Sequence, residues 1–163
     1  MENKITIRKI NSKEIPRLEQ FLFDAIFIPE GYEKPDRSII KIPELNTYIK
    51  DFGKKTDICF VAELKGALIG AIWARIFPVT EKGFGFIDSQ TPELSMSVNE
   101  NYRKQGIGTN LLMKMIDRLK QLHYKQVSLS VDKLNYAFKM YQGFGFEEVK
   151  SDEKSATMVK KLK

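Results

Sequence analysis

The residues best suited to chemistry lie together in Arg103-Lys104-Gln105-Gly106-Ile107-Gly108-Thr109. Two glycines one residue apart remove side chains where a ligand would approach the backbone. They open an apolar-periodic stretch that reads as a helix. The first turn of a helix leaves N–H groups unpaired, and its dipole favours an anion. Arg103 and Lys104 add positive charge. The chemistry this implies is a seat for a phosphate or pyrophosphate. Two familiar glycine motifs do not fit. No Gly-x-x-x-x-Gly-Lys-Ser/Thr run occurs, and Leu111 stands where the third glycine of Gly-x-Gly-x-x-Gly would be. Ser95 has no Gly-x-Ser-x-Gly elbow around it. The single cysteine, Cys59, reads as a small buried hydrophobe, and with one histidine, His123, no Cys/His metal site is expected.

The surrounding elements must hold that turn in place. Residues 4–9 alternate like a strand. Asn11 or Ser12 caps a helix over 13–26, whose stripe is Ile15, Leu18, Phe21, Leu22 and Ala25. Residues 27–42 are irregular, and Pro43 opens a short helix to about Phe52. Asp57–Leu64 and Ala67–Phe77 flank the Lys65-Gly66 turn as a β-hairpin, with Gly70 marking a bulge. A long connection, 78–92, leads to a strand over 93–98. The glycine turn follows, then a helix over 106–122 with Leu111, Leu112, Met115, Ile116 and Leu119 on one stripe. Gln126–Val131 is the next strand, Asn135–Gln142 a helix, and Phe146–Val149 and Ala156–Leu162 closing strands. The expected fold is a mixed, mostly antiparallel sheet of six or seven strands with helices on both faces. No repeat or linker interrupts it, so one domain over 1–163 is expected.

Composition places the chain among ordinary globular proteins: 42% hydrophobic, 29% charged, with no apolar run long enough for a membrane span. The start alternates like a strand and has no signal-peptide core, which with one cysteine points to the cytoplasm. Net charge is +6, unevenly spread. Residues 1–100 hold 14 Lys/Arg against 15 Asp/Glu, and residues 101–163 hold 13 against 6. The basic part begins at the glycine turn, as a polyanionic ligand would favour. No nucleic-acid motif accompanies it.

Arg103-x-x-Gly106-x-Gly108 resembles the Gln/Arg-x-x-Gly-x-Gly/Ala motif of the GCN5-related N-acetyltransferases (the GNAT family). Asn135-x-Ala137-x-x-x-Tyr141-x-x-x-Gly145-Phe146 resembles that family's second, more C-terminal motif. In element order the resemblance runs from about Ile5 to Val149. It implies an acetyl-CoA co-substrate wedged between the fourth and fifth strands, 93–98 and 126–131. The pantetheine arm would pair with backbone groups of Met96, Ser97 and Val98. The pyrophosphate would sit on N–H groups of Arg103, Lys104, Gln105, Gly106, Ile107, Gly108 and Thr109. Asn135 would bond the cofactor arm.

The same resemblance implies the catalytic roles. Attack of an amine on a thioester expels a thiolate, and Tyr141 stands where the family places the hydroxyl that protonates it. Glu93 begins the fourth strand, where several relatives carry an acid directed at the acceptor; it is the expected base, with Asp88 as a substitute. The acceptor pocket would draw on 27–42 and 78–92, with Phe27, Tyr32, Trp73, Phe84 and Phe86 as candidate walls and Glu30, Glu33 and Glu93 as charge for a cation. The expected reaction is direct transfer of an acetyl group to a primary amine of a small molecule or peptide. The alternative is a CoA-binding sensor or protein-interaction domain with little catalysis. Dimers are frequent in the family, so a homodimer is allowed. No membrane partner is expected, and nucleic acid is the weakest reading.

Overall fold

The computed structural model describes residues 4–162. Seven strands build one sheet: β1 Ile5–Lys9, β2 Ile58–Leu64, β3 Ala67–Arg75, β4 Glu93–Val98, β5 Gln126–Asp132, β6 Glu147–Ser151 and β7 Ser155–Lys161. Their spatial order is β1-β2-β3-β4-β5-β7-β6. Every neighbouring pair is antiparallel except β4 and β5, which run parallel and meet only at Glu93 and Ser128. Ser128 N–H donates to Pro92 O at 3.0 Å, and beyond that point the two strands separate.

Alternation along the strands feeds two cores. On one face Ile72, Leu94, Val98, Val127, Leu129 and Met158 pack under α3, Ile107–Gln121, whose Leu111, Leu112, Met115 and Leu119 are fully buried. On the other face Val61, Ala71, Trp73 and Phe77 pack against Leu18, Phe21 and Leu22 of α1, Leu18–Ala25. Helices therefore cover both faces, and the sheet stands between two apolar layers. The shorter helices are α2, Pro43–Asn46, and α4, Ala137–Gly143.

Two helices differ from the sequence expectation, whereas the hairpin bulge falls where expected. The first helix starts as a 3-10 segment, Ser12–Arg17, because Pro16 lies within it and lacks the N–H that an α-turn requires. The α-helical part begins only at Leu18. The second helix is α-helical for four residues and then unwinds through turns to Asp51 and Gly53, both at positive φ (54° and 120°). The β-hairpin's bulge lies next to Gly70: Ala62 faces Gly70 while Glu63 faces Leu68, leaving Ile69 as the extra residue.

Candidate active site

The parting of β4 and β5 opens a cleft of about 1180 Å³. Its walls come from the chain after α1, from β4 and β5, from the turn before α3, from α4, and from the β6–β7 connection. At one end lies the glycine turn. Lys104 and Gly106 hold φ at 62° and 83°, a left-handed turn that sends the chain from β4 into α3. Gly106 is the N-cap, and the first helical bond runs from Asn110 N–H to Gly106 O at 3.0 Å, so the earlier N–H groups of the turn face outward from the helix start. Arg103 Nε donates to Val98 O at 3.1 Å and ties the turn to the end of β4. Gly108 lies close to β4: a Cβ there would stand 3.5 Å from the Met96 side chain.

The expected cofactor residues fall on one path. Met96, Ser97, Val98, Arg103, Lys104, Gly106, Ile107, Gly108, Thr109 and Asn135 all line the cleft. Gln105 is exposed within the same turn and is not among the lining residues. Ser97 offers only main chain, because its hydroxyl donates to Phe21 O at 2.8 Å on the α1 side. Asn135 Oδ1 accepts Ala137 N–H at 2.9 Å, so its side chain caps α4 while bordering the cleft. The single β4–β5 bridge leaves the facing edges of Ser95–Val98 and Ser130–Asp132 without strand partners in each other. Such edges suit an extended, amide-bearing ligand, and the outward N–H groups of the turn suit its phosphates. The residues present thus fit an acyl-CoA.

Tyr141 lies on α4 and is 6% exposed. Its ring packs edge-on to Phe146 at 5.5 Å, and it lines the cleft with its neighbour Met140. Burial, with a smaller push from Tyr136, raises its hydroxyl pKa, so the group stays protonated and able to donate.

Glu93 lies at the other end of β4, about 17 Å along the strand from Val98. It is 2% exposed. Three groups hold it. Tyr48 Oη–H donates to Oε2, and Gly85 N–H donates to the same oxygen at 3.1 Å. Gly83 presses so close that a Cβ would sit 2.3 Å from Oε1. Oε1 is buried without a hydrogen-bond partner among the described residues, as is Ser128 Oγ on the residue opposite in register. Burial raises the Glu93 pKa from 4.5 to about 7, against the lowering effect of the Tyr48 and Gly85 bonds. Asp88, in contrast, is exposed and accepts from Gln90 N–H and the Thr91 hydroxyl, which hold its carboxyl below the usual range.

Tyr48 is the residue that sequence reasoning missed. It sits just past α2, and its place is set from β3. Trp73 Nε1 donates to Tyr48 O at 3.1 Å. Arg75 Nη1 donates to Thr47 O and Lys50 O at 3.0 and 2.8 Å, while its other nitrogens pair with buried Asp57. Trp73 and Arg75 share one strand face, and Trp73 is fully buried, so it supports the site from below instead of lining it. Of the other candidate wall aromatics, Phe27 and Phe84 line the cleft, Phe86 packs on the second core, and Tyr32 is 73% exposed.

The 78–92 connection is fastened across this end. Phe84 N–H donates to Tyr48 Oη at 2.7 Å, and Thr157 Oγ1 donates to Phe84 O at 3.4 Å. Gly85 lies against the β5 backbone; a Cβ there would meet the Leu129 carbonyl carbon at 2.6 Å. His123 is exposed beyond α3 and Cys59 is buried in the second core, both away from the cleft. Among the described residues no cluster of three metal-ligating side chains occurs, and no helix is long and apolar enough to cross a membrane.

Known proteins resemble the chain in sequence and in fold. The family model described as "Acetyltransferase (GNAT) family" matches residues 20–146. The chain is 33% identical over 112 residues to an N-alpha-acetyltransferase of Sulfolobus acidocaldarius, covering 63% of this chain and 62% of that protein. It is 38% identical over 100 residues to an N-alpha-acetyltransferase of Sulfurisphaera tokodaii, covering 56% of this chain and 57% of that one. The match thus spans about three-fifths of each relative's length. Among solved structures, the PaiA N-acetyltransferase of Thermoplasma acidophilum in complex with coenzyme A superposes with TM-score 0.70 at 21% identity, covering 97% of this chain and 99% of that one. The ribosomal-protein-S18-alanine N-acetyltransferase of Escherichia coli superposes with TM-score 0.69 at 18% identity, covering 98% and 94%. These two likenesses establish the fold.

Proposed function

The chain belongs to the acetyltransferase (GNAT) family, and on that premise we propose that it moves the acetyl group of acetyl-CoA directly to a primary amine of a small molecule or peptide. The observation that carries this reading is the cleft itself. A glycine turn with N–H groups free of the helix at one end of β4 and a buried carboxyl at the other are joined by a strand edge without a partner. The names of the curated relatives support an amine acceptor.

Backbone N–H groups of 103–109 hold the pyrophosphate, and the free edge of Met96–Val98 holds the arm. The acceptor arrives as an ammonium and must lose a proton before it attacks. Glu93 withdraws that proton through the hydroxyl of Tyr48, a residue of the cleft wall that donates to Oε2. The nitrogen lone pair then adds to the thioester carbonyl; the C–N bond forms and the C–S bond breaks. The amine gives up a second proton, and the departing thiolate takes one from Tyr141, which is later reprotonated. One proton is released in all. The whole chain acts as a single catalytic domain.

The reading is tested by following thiol release from acetyl-CoA with a panel of amines. Turnover above background is expected, and Tyr141→Phe should lower kcat by about 100-fold with little change in acetyl-CoA affinity. Tight acetyl-CoA binding with no turnover for any amine would favour the alternative of a CoA-binding sensor.

A further inference from the structure

We propose that the acceptor is a primary amine carried on an apolar group, and that the exposed ring of Phe84 is the surface on which that group rests. The inference rests on the acetyl-transfer reading and names its substrate class.

Phe84 has an unusual combination of features. Its backbone is fixed on both sides, by N–H donation to Tyr48 Oη and by its carbonyl accepting from Thr157. Its ring is nevertheless 61% exposed. The ring stacks on Tyr48 at 6.4 Å and 20° between planes, so one face is covered and the other is free. A large apolar side chain held open at a fixed place, on the wall of a cleft, is a preformed contact surface. It lies at the Glu93 end, because the same Tyr48 hydroxyl that receives Phe84 N–H donates to Glu93.

The neighbouring wall is also apolar. Ile26, Phe27, Ile28 and Pro35, from the chain after α1, and Leu45 of α2 line the cleft with Phe84. Away from the glycine turn the lining charges besides Glu93 are nearly balanced, with Asp24, Asp132 and Asp152 set against Lys34 and Lys150. All three carboxylates are also engaged locally: Asp24 accepts from Gln20, Asp132 accepts Leu134 N–H, and Asp152 accepts N–H bonds from Lys154 and Ser155. A polycation such as a polyamine or an aminoglycoside needs an excess of free carboxylates, which this wall lacks. An amine with an apolar substituent needs one proton acceptor and a dry wall, and both are present.

The test is calorimetric titration of the full chain, with CoA present, against phenethylamine, ethylamine and spermidine. Acetylation rates are then measured with the same amines and with short peptides beginning in Phe or in Ser. Phenethylamine should bind on the order of 100-fold more tightly than ethylamine. Phe84→Ala should cut that preference at least about tenfold, and Phe84→Leu, which keeps an apolar surface, should retain most of it. Preference for spermidine over phenethylamine in the unaltered protein would overturn the proposal whatever the variants do. So would a Ser-initiated peptide acetylated faster than a Phe-initiated one, or an unchanged preference in a Phe84→Ala protein that still binds CoA. A Phe-initiated peptide outrunning phenethylamine places the apolar group on a peptide N-terminus; the reverse places it on a free amine, and both support the assignment. Phenethylamine binding without turnover of any amine would sink acetyl transfer while leaving this subsite standing.

Discussion

The Tyr48 hydroxyl donates to Oε2 of Glu93 across 45 residues of sequence, and both side chains are buried. The pair joins the segment after α2 to the first residue of β4. It also fixes the 78–92 connection, since Phe84 and Gly85 donate to its two members. Glu93 is therefore a fastening point for that connection, and in the proposed reaction it is also the proton acceptor.

The kinetic consequence is a pH dependence of known sign. A base must be ionised to work, and the Glu93 carboxyl is raised to about 7. The rate should rise with pH through about 7 and level off above it. Tyr48→Phe removes a bond that lowers this pKa, so it should slow the reaction and move the remaining inflection to higher pH. An unmoved inflection in the variant would remove Glu93, or its link to Tyr48, from the reaction.

Stability carries the opposite sign. The native state holds the Glu93 proton up to about pH 7, while the unfolded chain releases it near 4.5. Between those values the native state binds more protons, so stability falls as pH rises, by about 3 kcal/mol in all, and stays level on either side. Glu93→Gln should abolish this slope in denaturant titrations run across pH 4 to 8 (a window of about four units, set to bracket both pKa values). An equal slope in both proteins would assign it to other groups.

Gly85→Ala should disturb the cleft from outside. The added Cβ would lie 2.6 Å from the Leu129 carbonyl carbon, so the connection or β5 must move. A cost of about 1–3 kcal/mol in stability is expected, together with weaker acetyl-CoA binding. Melting temperature and CoA affinity both unchanged would show that β5 does not depend on this contact.

Arg75→Met should destabilise more strongly. It strands Asp57, whose side chain is 2% exposed, and frees the Thr47 and Lys50 carbonyls. Loss of about 3–5 kcal/mol is expected, with partial recovery when Asp57→Asn is added. A denaturant midpoint close to that of the unaltered protein would contradict this role for the pair.

Much of the fold was legible because its signals are local. The 3.6-period stripe from Leu111 to Leu119 and the alternating strands on either side set element type and order. The turn at Arg103–Thr109 combined glycines, charge and a following helix within a few residues. The Tyr48 contact was not legible, since nothing near Tyr48 distinguishes it from a core aromatic. Its place depends on Trp73 and Arg75, on β3, holding the backbone of Tyr48 and of its neighbours Thr47 and Lys50. Gly83 and Gly85 carried a faint signal: glycines two apart in a long connection suggest close backbone approach, but not what is approached. Trp73 as a pocket wall failed for a related reason. Alternation groups it with Arg75 without telling which layer covers that face.

The lone Glu93–Ser128 bridge divides the sheet's hydrogen bonding into a four-stranded and a three-stranded block. Along that seam the polypeptide does not complete its own ladder. A ligand lying there acts as a missing rung, so occupancy and rigidity become one property. Amide exchange along the facing edges of β4 and β5 should slow when CoA binds, and thermal resistance should climb with CoA concentration, each factor of ten adding about 1.4 kcal/mol once the site is near saturation. In the proposed reaction the acyl-CoA would thus serve as a temporary part of the architecture, removed and restored at each turnover.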